Sequence, residues 1–67
     1  MPMTIAAIEY VDYGVAGEYG IFGKVVARSD VRGMTEAQRV VEIREMRYEL
    51  GSHIVARVIE EVGACRP

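Results

Sequence analysis

His53 is the one histidine of the chain and Cys65 its one cysteine. These are the side chains best suited to proton transfer or nucleophilic attack near neutral pH. A general base needs a nucleophile within reach, and a metal site needs several ligands. No Ser, Cys or Asp stands at a readable spacing from His53, and no second Cys accompanies Cys65. His53 is therefore read as a surface or cap residue, and Cys65 as a small residue in a short flexible tail over 63–67. Glu9 and Asp12 are three apart on a presumed strand, which puts them on opposite faces and not in an acid–base pair. No catalytic residue, metal ligand or cofactor is assigned, and the chain is predicted not to be an enzyme.

Glycine recurs at every third position through Gly14, Gly17, Gly20 and Gly23. A loop that cradles phosphate would place such glycines ahead of a helix, with Lys followed by Ser or Thr in the nucleotide-triphosphatase case. Here Gly23-Lys24 is followed by Val25 and no helix is expected next, so the run reads as a hairpin turn with close packing beside it.

Two surfaces remain as candidates. Tyr10, Tyr13, Tyr19 and Phe22 can serve as anchors of a protein interface, because such rings bury area while a tyrosine hydroxyl keeps a polar partner. Alternatively, Lys24 and Arg28, with Arg32 in the following turn, flank Phe22 and Val26 on one side of a strand. That basic and aromatic pattern suits a nucleic-acid backbone and its bases. The overall balance gives no help to the second surface: 8 Lys and Arg stand against 10 Asp and Glu, a formal charge of -2. Only a local basic face could act.

With 67 residues the chain is one small domain, yet 51% of it is apolar. A monomer of this size buries only about 60% of its extended surface, so the excess predicts a homo-oligomer. A single cysteine allows no internal disulfide, which suits a reducing, cytoplasmic setting. The start Met1-Pro2-Met3 carries no basic region or long apolar core, so no secretory leader is expected. No uncharged apolar window approaches 18 residues, and no membrane span is expected.

The elements that must position these residues divide at about Asp30–Met34. Residues 4–13 read as a strand ending at Gly14, and 19–29 as a second, with Ile21, Gly23, Val25 and Ala27 as its core face. Together they make a β-hairpin over 3–29. Thr35-Glu36-Ala37-Gln38 is a capping box, so a helix starts there. Its apolar stripe is Ala37, Val40, Val41 and Tyr48. Arg44 interrupts the stripe, and either reaches into water or pairs with Glu9 or Asp12 of another subunit.

Ile54, Val55, Val58, Ile59 and Val62 sit at i, i+1, i+4, i+5 and i+8, which reads as an amphipathic helix closed by Gly63. At Gly51-Ser52 the two helical stretches either turn a corner or run on as one helix over 35–62, roughly 42 Å long. In a third reading, Val41 to Leu50 alternates as a strand with one slip.

The expected architecture is thus α+β: an N-terminal hairpin, then one long kinked helix or two short helices over 35–62, packed as a dimer. The expected function is that of a small regulatory or adaptor protein that binds another protein. The alternative is a dimeric nucleic-acid-binding regulator using Lys24, Arg28 and Arg32.

Overall fold

The computed structural model describes residues 3–62; the tail with Gly63 and Cys65 lies outside them. Strand β1 (Met3–Asp12) is followed by a loop over 13–23, strand β2 (Lys24–Asp30), helix α1 (Glu36–Leu50) and strand β3 (Val55–Val62). The sheet order is β2-β1-β3, and β1 runs antiparallel to both neighbours. Hence β2 and β3 are parallel to each other with β1 between them, and α1 makes the crossover.

The α+β class and the N-terminal strands agree with the sequence reading, as does the helix start. Thr35 Oγ1 accepts from the Gln38 amide at 3.2 Å and Gln38 Oε1 accepts from the Thr35 amide at 2.8 Å, closing the predicted capping box.

The second half of the predicted helical region is instead a strand. Ile54 to Val62 places its apolar residues four apart, and a spacing of four fits both the helical period and the period of two. What separates the alternatives is branching: five of the six apolar residues are Val or Ile, whose stiff side chains favour a pleated sheet. Within β3, Val58 pairs with Ile8 on one face, while Val55 and Ile59 pair with Val11 and Ala7 on the other. The continuous 35–62 helix and the two-helix corner are both excluded, as is a strand over Val41–Leu50, which is helical.

The helix also buries the side opposite to the one predicted. Ile43, Met46 and Leu50 pack onto the core of Ile8, Tyr10, Val31 and Ile54, together with Ile5, Ala27, Met34 and Ala56. Ala37, Val40, Val41 and Tyr48 are exposed. The interruption at Arg44 is thereby explained, since the stripe it breaks faces solvent.

Strand β2 begins at Lys24, later than predicted, and Ile21 is 84% exposed in the preceding loop. Tyr10 pairs with Ala27 but Val11 with Val25, so Val26 is an extra residue, a β-bulge. The bulge reverses the phase of the strand. Ala27 joins the helix-covered face, and Val25 joins the other.

The fold spans 47 × 24 × 13 Å, with a radius of gyration of 13.5 Å against about 11 Å for a compact chain of this length. The thinnest dimension fits one helix layer on one sheet; among the described residues the second face carries no helix, and Ala7 and Val11 lie buried on it.

Candidate functional site

The face without a helix is organised by charge. Glu9, in the middle of β1, pairs in register with Arg28 of β2 and Arg57 of β3. One Glu9 oxygen lies 3.0 Å from Arg28 Nη1, and the other 2.8 Å from Arg57 Nη2. The Glu9 side chain is only 18% exposed, so the two guanidinium groups take the place of water around it. Hydrogen bonding from Arg57 is the leading reason that the Glu9 carboxyl is held below its ordinary range, and the charges of Arg57 and Arg28 add to it. The same bond raises Arg57.

A second cluster lies where β2 ends. Arg32 donates from Nε and Nη2 to Glu61, at 2.9 and 3.1 Å, and from Nη1 to Asp30 at 3.4 Å. Glu61 is the principal cause of the raised Arg32 pKa. Arg28, Arg57 and Arg32 on this side thus all face the carboxylates of Glu9, Asp30 and Glu61.

Lys24 does not share this face with Arg28. It pairs with Asp12, and the bulge at Val26 sets it on the opposite side of the strand. Its ammonium sits 5.6 Å from the centroid of the Tyr19 ring, within cation–π range. The predicted row of Lys24, Arg28 and Arg32 is therefore divided, with both arginines in ion pairs.

The aromatic residues are divided as well. Tyr10 is fully buried under the helix and offers no surface. Its hydroxyl has no hydrogen-bond partner among the described residues. Tyr13 is half-buried beside Gly23, Tyr19 is exposed under Lys24, and Phe22 is 76% exposed.

The 13–23 loop that carries these residues is tied down. Its every-third glycines close successive turns: the Gly20 amide donates to the Gly17 carbonyl at 2.9 Å, and the Gly23 amide to the Gly20 carbonyl at 3.3 Å. Asp12 accepts from the Gly14 amide at 2.8 Å, and Arg57 Nη1 donates to the Phe22 carbonyl at 3.4 Å. Gly23, at φ 68°, lies so close that a Cβ there would run into Val11 and the Tyr13 ring. The result is an ordered loop that holds Ile21 and Phe22 outward at the end of the sheet.

His53 lies in the turn between α1 and β3, 3.7 Å from an Asp12 oxygen and largely exposed. Arg44 lies on the exposed flank of α1, while Glu9 and Asp12 have the partners described above. Sequence reasoning did not single out Arg57, because a helical reading of 54–62 hides its pairing with Glu9. Among the described residues no three His, Cys, Asp or Glu gather in a way that could hold a metal ion, and no helix is long and apolar enough to cross a membrane. No protein-family model, curated protein or solved structure matches the chain.

Proposed function

We propose that this chain is a small, non-enzymatic regulatory or adaptor protein of the cytoplasm. It works as a homo-oligomer and captures a protein partner with the tip of the 13–23 loop. The observation that carries this reading is the exposure of Ile21 and Phe22, at 84% and 76%, on a loop fixed by Arg57 and by Gly23 against Val11. An anchor held in place loses little freedom on binding, so more of its apolar burial appears as affinity. Tyr19 and Val15, also exposed in this loop, extend the apolar area.

The nucleic-acid alternative rests on Lys24, since Arg28 and Arg32 would have to exchange carboxylates for phosphates. Replacing Arg28 or Arg32 would also break ion pairs within the sheet, so Lys24→Glu is the cleaner test.

The experiment compares wild type, an Ile21→Ser/Phe22→Ser double variant and Lys24→Glu as immobilised baits, with duplex DNA titrated against the same samples. A protein retained by wild type and Lys24→Glu but lost from the loop variant supports the reading. It is overturned if no protein depends on the loop while DNA binds, weakens between about 50 and 200 mM salt, and is lost in Lys24→Glu.

A further inference from the structure

The sheet has two free edges, and they differ. Charged side chains stand on both edges, Lys24, Arg28 and Asp30 on β2 and Arg57, Glu60 and Glu61 on β3, but β2 also carries a bulge at Val26, a device that discourages a further strand. Strand β3 has eight residues, no proline and no bulge of its own; the irregularity between it and β1 falls at Ala6 of β1. A long, regular edge is a template for another strand.

Beside that edge lies apolar surface with no partner among the described residues. Val58 belongs to the helix-covered face by its pairing with Ile8, yet it is 48% exposed. The flank of α1 above it can be identified from two contacts: Glu42 reaches Ser29 of β2, whereas Arg47 reaches the Ile54 carbonyl leading into β3. At about 100° per residue, Val40 lies next to Arg47 around the helix, whereas Tyr48 lies beside Val41 on the side turned away from the sheet. Val40 is 48% exposed.

We propose that a second copy of this chain occupies this edge: β3 pairs antiparallel with β3 of the partner about a twofold axis at Ile59, giving one six-stranded sheet. Charge selects the register. With Ile59 opposite its own copy, Arg57 of each chain faces Glu61 of the other, and Val58 faces Glu60. A shift by two residues in one direction sets Glu60 against Glu60, and in the other sets Arg57 against Ile59, so only the first register matches opposite charges. It also continues the alternation Arg28, Glu9, Arg57 across the axis into Glu61 and Arg32 of the second copy. The two helices lie on one side of the joint sheet, separated by about three strand spacings of 4.8 Å, a gap lined by the Val40 and Val58 side chains.

The inference rests on the self-association in the reading above and not on capture by the 13–23 loop. A monomer would therefore overturn it and leave loop capture to its own test. The full chain is studied by light scattering over a concentration series, with Val58→Glu, Val58→Lys and Val41→Glu checked for fold by circular dichroism. The expected result is a wild-type dimer that Val58→Lys keeps, because lysine would face Glu60. Val58→Glu raises the dissociation constant by about a hundredfold or more, because like charges meet twice. In a Cys65→Ser background, Ile59→Cys forms a disulfide-linked dimer on mild oxidation. A monomeric wild type, a dimer indifferent to Val58→Glu but lost in Val41→Glu, loss with both Val58 variants, or no cross-link at Ile59→Cys would each overturn the proposal.

Discussion

Arg57 and Glu9, 48 positions apart in the chain, meet across the β1–β3 ladder with Nη2 2.8 Å from a carboxylate oxygen. The pair joins the last strand to the first, and through Arg28 it reaches the second. One carboxylate thus ties together all three strands on the face that no helix covers. Arg57 also holds the Phe22 carbonyl, so the same side chain links the sheet to the loop that carries the proposed partner anchors.

Stability should depend on the ionisation of Glu9. Its carboxyl is held below the ordinary value of 4.5, first by the Arg57 hydrogen bond. The folded state therefore binds its proton less readily than the unfolded chain. The stabilisation is complete above pH 4.5 and is lost as pH falls through the lowered folded value. Urea midpoints measured from pH 7 down to pH 2 should fall less steeply below pH 4.5 for Glu9→Gln than for wild type. Parallel curves would show that the pair contributes nothing to folding.

The helix start should be worth a measurable share of the stability. Thr35→Ala removes one half of the reciprocal bonding with Gln38 and should cost about 1 kcal/mol. In a domain of this size that lowers the melting temperature by roughly 4–8 °C. A calorimetric scan with an unchanged midpoint would mean that water replaces the cap without loss.

Thr35 also marks how far the sequence was legible. A capping box is local, since its partners lie within three residues, and nothing tertiary was needed to see it. The β1 strand was legible for the same reason. Beyond Gly51 the signal failed because Ile54, Val55, Val58, Ile59 and Val62 satisfy two periods at once, and only their branching favours the sheet. The helix face was misread because Ala37, Val40, Val41 and Tyr48 make a stripe as apolar as Ile43, Met46 and Leu50, and the choice between them was made by the sheet beneath. Of the candidate site, Phe22 stands exposed as the sequence suggested. Tyr10 could not be told from the other tyrosines, because its place under the helix follows from the three-stranded order. The division of Lys24 from Arg28 depends on one extra residue, Val26, and such a bulge leaves no mark in an alternating pattern.

The loop anchors should be separable from folding. Phe22 is largely exposed, and its packing contributes little to the folded state, so Phe22→Ser should shift stability by no more than about 0.5 kcal/mol. Matching urea curves for the variant and wild type would make any loss of partner binding a surface effect. A shift beyond about 1 kcal/mol would place Phe22 in the packing of the fold instead.

Tyr10 should respond differently to loss of its hydroxyl and loss of its ring. The ring is fully buried in the core, while the hydroxyl is buried without a partner among the described residues. Burying an unsatisfied hydroxyl costs about 1–3 kcal/mol, so Tyr10→Phe should be neutral or more stable than wild type. Tyr10→Ala should lose about 3–5 kcal/mol, as for other large aromatic truncations in a core. Chemical denaturation of both variants checks the pair. A clear loss in Tyr10→Phe would reveal a bond made by that hydroxyl in solution.

The turn between α1 and β3 should be strained by any side chain at Gly51. The residue takes φ 119° and ψ 151°, a region open almost only to glycine. A Cβ there would also meet the His53 ring at 2.7 Å. The ring is largely exposed and can swing away, so the backbone sets the penalty. Gly51→Ala should lower stability by about 1–3 kcal/mol. Adding His53→Ala should recover only a minor part of that loss. Full recovery in the double variant, read from urea midpoints, would assign the cost to the ring contact and not to the backbone.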